Sequence, residues 1–271
     1  MSVEGLRFVI TGASAGIGAG TARLAASAGA KVVVSDLNDE AGEALVAEIV
    51  AAGGEAVYQH CDVTDEDQVK ALMAAAAKAF GGIDVLHNNA GIHESMVSQD
   101  LSLETMSLAT FEKVVSVNLI GVFLCSKYAL PFLKESSQAS IINAGSTSSI
   151  AGYPNCMAYG STKGAVMQLT KNLAVDLAPY GIRSNCYCPG SIHTQMVDKF
   201  LEAAPDPQAM LNTMTMTHLI PRMGVPKDVA ELVCFLASEK SQFINGVVWL
   251  IDGGSLAWRG TLDILGMGES I

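Results

Sequence analysis

The chain has 271 residues and a formal net charge of −11, with half of its residues hydrophobic and 16% charged. That apolar content supports a large core and excludes a disordered chain. The acidity disfavours a nucleic-acid role, which needs clustered Lys and Arg against phosphates, yet it leaves room for a phosphate-bearing ligand held by backbone N–H groups.

The first strand is predicted at Arg7–Thr11 and stops at Gly12. No secretion signal is read here, and no uninterrupted run reaches the roughly 18 apolar residues of a membrane span; a soluble cytoplasmic protein is the expectation. Thr21, Leu24 and Ala25 open an amphipathic helix, and Lys31–Asp36 is a second, β-branched strand. Ala41, Leu45 and Ile49 put one apolar stripe on a helix over 39–52, which Gly53 and Gly54 end. A third strand covers 56–61. Thr64 followed by Asp67 resembles a capping box, after which Val69, Leu72, Ala76 and Phe80 repeat at helical spacing. Residues 84–88 form a fourth strand, and a long helix spans 108–130, where Pro131 is expected to kink or stop it. Ser140–Ala144 is the fifth strand, a helix over 158–178 is closed by Pro179, and strands over 183–188 and 246–252 complete the set.

Such alternation of strands and helices predicts an α/β fold: a doubly wound, Rossmann-type sheet of seven parallel strands with helices on both faces. No linker or repeat divides it, so 1–271 is read as a single domain. Ligands bind these sheets at the carboxyl ends of the strands. The first such end is Thr11-Gly12-Ala13-Ser14-Ala15-Gly16-Ile17-Gly18. Gly12 permits a tight turn, and Gly16 and Gly18 let backbone and helix approach a pyrophosphate; Ser14 and Ile17 share that contact. Asp36, with Leu37 beside it, ends the second strand. A carboxylate there accepts from both ribose hydroxyls and repels a 2′-phosphate, and no Arg or Lys occupies 13–15 or 37–38. NAD is therefore favoured over NADP.

Tyr159 and Lys163 stand four apart on one helix, so their side chains share a face. Proton transfer to a carbonyl oxygen needs an acid, and a neighbouring ammonium is expected to lower the pKa of the phenol toward that task. Together with the glycine turn, Asn88-Asn89-Ala90-Gly91, Asn118, Ser146 and Pro189-Gly190, this pair resembles the short-chain dehydrogenase/reductase family over about 6–254. The resemblance implies an oxidoreductase passing a hydride between NAD and a secondary alcohol or ketone. It implies Tyr159 as general acid and base, Ser146 on the substrate oxygen, Lys163 on the nicotinamide ribose, and Asn118 guiding a water to that lysine. It implies Ile192 N–H and Thr194, after Pro189 and Gly190, on the carboxamide. Asn89, Ala90 and Gly91 are expected beside the adenosine ribose, and Asp62 and Val63 at the adenine. Ser148 and Ser149 depart from the small apolar residues common in relatives.

Residues 191–223 are read as a substrate lid. Met196, Met210, Met214, Met216 and Met223, with Leu201, Leu211 and Leu219, make it apolar and adaptable, which points to an alicyclic, aromatic or steroid-like alcohol. Plain helix packing explains the same residues equally well. His93, Glu94, Tyr153 and His193 are placed at the pocket border without a catalytic role. The six cysteines read as buried free thiols, with no metal site. The tail over 255–271, with Trp258, Leu262 and Leu265, is read as packing on a neighbouring subunit of a homodimer or homotetramer, as in many relatives. Two alternatives stand beside the main reading: an NADP-linked carbonyl or acyl-carrier reductase, and a catalytically silent NAD-binding sensor or scaffold.

Overall fold

A computed structural model describes residues 3–258 and Gly260. The seven strands are β1 (Arg7–Thr11), β2 (Lys31–Asp36), β3 (Glu55–His60), β4 (Val85–Asn88), β5 (Ser140–Ala144), β6 (Arg183–Pro189) and β7 (Val248–Ile251). All pair in parallel in the order β3-β2-β1-β4-β5-β6-β7. The order reverses between β1 and β4, which opens a crevice at their carboxyl ends.

Among the described residues, nine α-helices accompany the strands: α1 (Gly16–Ser27), α2 (Asp39–Ala51), α3 (Glu66–Phe80), α4 (Leu108–Val115), α5 (Gly121–Leu133), α6 (Met157–Asp176), α7 (Gln195–Ala203), α8 (Pro207–Met216) and α9 (Pro226–Ala237). Side chains alternate across the pleat. Phe8, Ile10, Val32 and Val34 face a core shared with Ala22, Leu45 and Val229 of α1, α2 and α9. Val9, Val33 and Leu86 face the opposite core, with Leu72, Met73 and Ala129 of α3 and α5. Each fully buried aliphatic or aromatic side chain contributes about 1.5–3 kcal/mol, and together they hold the crevice rigid.

Element boundaries differ from the sequence reading in instructive ways. The third helix is capped by Asp65, whose carboxylate accepts from Asp67 and Gln68 N–H. Thr64 instead bonds Asp62 through both its N–H and its hydroxyl. Asp84 lies just before β4, with its carboxylate held by Arg7 and Ser136. The long helix runs through Pro131 to Leu133, losing one bond in its last turn, and contains a wider turn at Ser116–Ile120. With 26 residues and a mean hydropathy of 1.7 in its most apolar window, it is long and apolar enough to cross a membrane by length and composition. Glu112, Lys113, Asn118 and Lys127 interrupt it, so it holds no unbroken apolar run of that length. Here it packs on α3, β4 and α6.

Of the cysteines, Cys61, Cys125, Cys186, Cys188 and Cys234 are buried free thiols, and Cys156 is half-buried. In the tail, Leu262 and Leu265 lie outside the described residues.

Candidate active site

The crevice between β1 and β4 continues into a groove of about 450 Å³ along the carboxyl edge of the sheet. At one end, the chain leaves β1 through Gly12, which has a φ of +61°. A Cβ there would lie 2.7 Å from Ala90 Cα. Thr11 Oγ1 accepts from the N–H groups of Asn89 and Ala90 at 3.1 Å, and Asn89 Nδ2 donates to the carbonyls of Thr11 and Gly12. Asn89 therefore staples two strand ends together, and its side chain is spoken for within the chain. Gly18 lies beneath the turn, where a Cβ would meet Gly12 O at 2.4 Å. Its role is to let α1 pack on the turn. Gly16 and Ile17 line the groove itself. The N-cap of α1, Ala15, offers no side-chain bond to the first turn, so those N–H groups and the partial positive charge of the helix end are available to an anion.

Asp36 closes β2 at the groove. Its Oδ2 accepts from Ser14 N–H at 3.0 Å, and Oδ1 from Leu37 and Asn38 N–H at 2.8 and 3.1 Å. Three backbone donors fix its orientation and leave lone pairs for hydroxyl donors. No cationic side chain stands among the neighbours at 13–15 and 37–38. Asp62 and Val63 border the same end, with Val63 packed against Gly121.

At the other end, α6 carries Tyr159 and Lys163 into the groove. Lys163 Nζ donates to Ala144 O at 2.8 Å and sits 5.5 Å from the centre of the Tyr159 ring. Burial pushes Lys163 down to about 8. Burial likewise pushes Tyr159 up to about 12, opposed by the Ser146 hydroxyl beside it. The expected lowering of the phenol by Lys163 is not found: burial dominates, and Lys163 is committed to the Ala144 carbonyl. Tyr159 is a neutral proton donor here.

Ser146 stands at the end of β5. Its Oγ accepts from Ser148 N–H at 3.1 Å and donates to Ser148 Oγ at 3.2 Å, while Ser149 Oγ accepts from Ser146 N–H. The unusual serines shape a single 3-10 turn around it. Asn118 is fully buried, receives Ile92 N–H at 2.8 Å and donates to Ile92 O and Thr162 Oγ1. A Cβ on Gly91 would come within 3.3 Å of Lys163 Nζ and 3.4 Å of Asn118 Oδ1. The glycine keeps a space open that both polar atoms face.

Among the remaining predicted residues, Ala90, Pro189 and Thr194 line the groove. Gly190 and Ile192 line a separate cavity of about 270 Å³ with His218 and Asp252. A Cβ on Gly190 would strike Asp252 Cα at 2.9 Å, so that glycine serves packing against the chain after β7. Of the methionines in 191–223, only Met196 borders the groove among the described residues, and Phe200 reaches the ring of His93.

One residue escaped the sequence reading, and a second was placed at the pocket border without its partners. Tyr187 lines the groove floor, its hydroxyl 2.9 Å from His87 Nε2 and 3.4 Å from Asn89 Oδ1. Burial pushes His87 down to about 3, so it is a neutral member of that chain of hydrogen bonds. A histidine inside a β-strand run was the available signal, since a buried imidazole needs a partner. The second is Glu94, whose carboxylate reaches the start of α6.

Comparison with known proteins agrees with this geometry. A family model described as Enoyl-(Acyl carrier protein) reductase matches residues 12–255. The chain is 37% identical over 256 residues to the 2,5-dichloro-2,5-cyclohexadiene-1,4-diol dehydrogenase of Sphingobium indicum, covering 94% of this chain and 98% of that one. It is 39% identical over 249 residues to the cis-4-hydroxycyclohexanecarboxylate dehydrogenase of Sinomonas cyclohexanicum, covering 92% and 96%. The crystal structure of levodione reductase superposes with a TM-score of 0.88 at 35% identity, over 94% of this chain and 99% of that one. With its glycine turn, its Tyr159–Lys163 pair and the full span of these matches, the chain belongs to the short-chain dehydrogenase/reductase family.

Proposed function

We propose that the protein is an NAD-dependent oxidoreductase that interconverts a secondary alcohol on an alicyclic ring and its ketone. The observation that carries this reading is the single groove joining a backbone-held carboxylate, Asp36, to the buried Tyr159 and Lys163. The relatives are named for ring alcohols, and Met96, Val117 and Met196 give the groove an apolar wall.

A nicotinamide dinucleotide, when bound, supplies or accepts the hydride. The chain's own groups do the rest. The uncapped first turn of α1 at Gly16 and Ile17 holds the pyrophosphate, with Ser14 beside it. Asp36 takes the adenosine ribose hydroxyls, and Asp62 and Val63 border the adenine. Lys163 holds the second ribose, while Pro189 and Thr194 orient the far end. Ser146 donates to the substrate oxygen, and Tyr159 gives or takes the proton there. The space beside Gly91, faced by Lys163 Nζ and Asn118 Oδ1, admits a water that refills that proton.

The acyl-carrier reductase alternative is supported only by the description of the family model. Asp36 opposes the NADP form of it, because three backbone donors aim its charge where a 2′-phosphate would sit. A homo-oligomer belongs to the same reading: Phe243, Trp249 and Leu250 are exposed around the edge strand β7, and sedimentation of the purified chain measures the state. The buried free thiols suit a cytoplasmic location.

The test is a panel of cyclic secondary alcohols offered with NAD⁺ and with NADP⁺, followed by absorbance of the reduced cofactor. Turnover of ring alcohols with NAD⁺ alone is expected. Equal turnover with both cofactors sinks the NAD assignment, and none with any alcohol sinks the reaction.

A further inference from the structure

Glu94 opens a 3-10 turn, Glu94–Met96, that follows β4, and it is fully buried. Its Oε1 accepts from Ala158 N–H at 3.0 Å and its Oε2 from Tyr159 N–H at 3.1 Å. Both donors belong to the first turn of α6, whose own N-cap, Cys156, makes no side-chain bond to it. A helix leaves its first N–H groups without partners and carries partial positive charge there. This helix is completed by a carboxylate delivered from another loop, and one of the two amides it holds is that of Tyr159. His93, beside it, packs its ring 5.2 Å from the Tyr159 ring and 4.9 Å from Phe200 of α7. Its Nε2 lies 3.6 Å from Glu94 Oε2.

We propose that Glu94 is a positioning residue: it anchors the backbone of Tyr159 and brings a buried carboxylate to bear on proton exchange at the phenol. This rests on the role given to Tyr159 above. The groups facing that phenol are Lys163 on α6, Cys156 at the start of α6, Ser146 after β5, Tyr187 and Cys188 on β6, and His93 and Glu94 after β4. Behind burial, Cys156, Cys188 and Glu94 all push the phenol upward. Removing the Glu94 charge therefore eases deprotonation, and alcohol oxidation, which needs the deprotonated form, extends to lower pH. An ordinary helix cap has no such effect on a titration.

The experiment uses the full chain with NAD⁺ and cyclohexanol, comparing wild type, E94Q and E94D. For E94Q the expected result is a fall in kcat of about tenfold or more, since a misplaced general base is costly. The KM for NAD⁺ should stay within about twofold, and the acidic limb of the kcat profile should move to lower pH. E94D keeps the charge one methylene short, so kcat should fall while the limb stays in place. Wild-type kcat and limb in E94Q overturn the proposal, and so does a fall in kcat with an unmoved limb. Should E94Q not fold, E94D decides. Faster amide exchange at Ala158 and Tyr159 with lowered kcat supports the anchor, and wild-type values for both overturn it. Amide exchange needs no turnover, so a wild type that oxidises no alcohol removes the proposed reaction and leaves the anchor separately measurable.

Discussion

The two ends of the groove are built by different means. At the dinucleotide end, glycines and backbone amides do the holding: Gly12 and Gly18 are compelled by atoms of the main chain, and Asp36 is gripped by three N–H groups. Around Tyr159, side chains from distant segments do it instead. Glu94, Ser146, Ser148, Asn118 and Lys163 arrive from four stretches of sequence and meet only in the folded chain. Backbone-built sites tolerate no added atom. Side-chain-built sites tolerate exchange of their members as long as each polar atom keeps a partner.

The largest expected effect tests whether the two ends are separable. Y159F should lower kcat by about 10²–10⁴, the range of general acid–base catalysis, and leave the NAD⁺ dissociation constant within about twofold. Persisting turnover would return the silent-sensor reading to the front. At the opposite end, G18A places a Cβ 2.4 Å from Gly12 O. Overpacking of that kind costs about 1–3 kcal/mol, so NAD⁺ affinity, read by calorimetry, should weaken by about tenfold or more. Wild-type affinity in G18A would show that the turn yields more easily than its contacts imply.

The smallest effect should come from a site that serves neither end. Asp84 lies at the start of β4 and accepts from Arg7 N–H, Nε and Nη2, and from Ser136 Oγ. Burial pushes its pKa up, but the bonds from Arg7 and Ser136 outweigh that and hold it below the ordinary value. D84N should lower stability by about 2 kcal/mol without changing kcat. Because the folded pKa is the lower one, this stabilisation is fully present above about pH 4 and is lost as pH falls through the folded value. Thermal melts of wild type and D84N should therefore converge in acid, and a gap that stays constant with pH would count against the ion pair.

The same contrast explains what was legible in the sequence. Gly12, Gly16, Gly18 and Asp36 announce themselves because local backbone geometry admits few other residues, and all of them sit at the groove or directly under its turn. The strands were readable from apolar runs bounded by Gly, Asp and Asn, with their ends off by one or two residues. The Tyr159–Lys163 pair was readable from its helical spacing and its setting. Its titration was not, because burial depends on tertiary packing that no local pattern records. Glu94 was placed at the pocket border, but its task was unreadable for the same reason: its partners lie 64 and 65 residues downstream.

The wider turn at Ser116–Ile120 has a consequence for how this chain can change. Gly121 N–H reaches back to Ser116 O, closing a loop with one residue more than an α-helix uses. Each residue of an α-helix turns it by about 100°, so everything from Gly121 onward is out of phase with Leu108–Val115. That slip is what lets Val114 and Asn118 be buried on the catalytic side while Leu124 and Cys125 still meet the sheet. A one-residue deletion here would restore ordinary α-helical bonding and leave both faces where they are, because the wide turn already absorbs the extra residue. The segment can thereby lose a single residue without turning its flanks, whereas the same loss elsewhere in α4 or α5 would rotate one flank by about 100°.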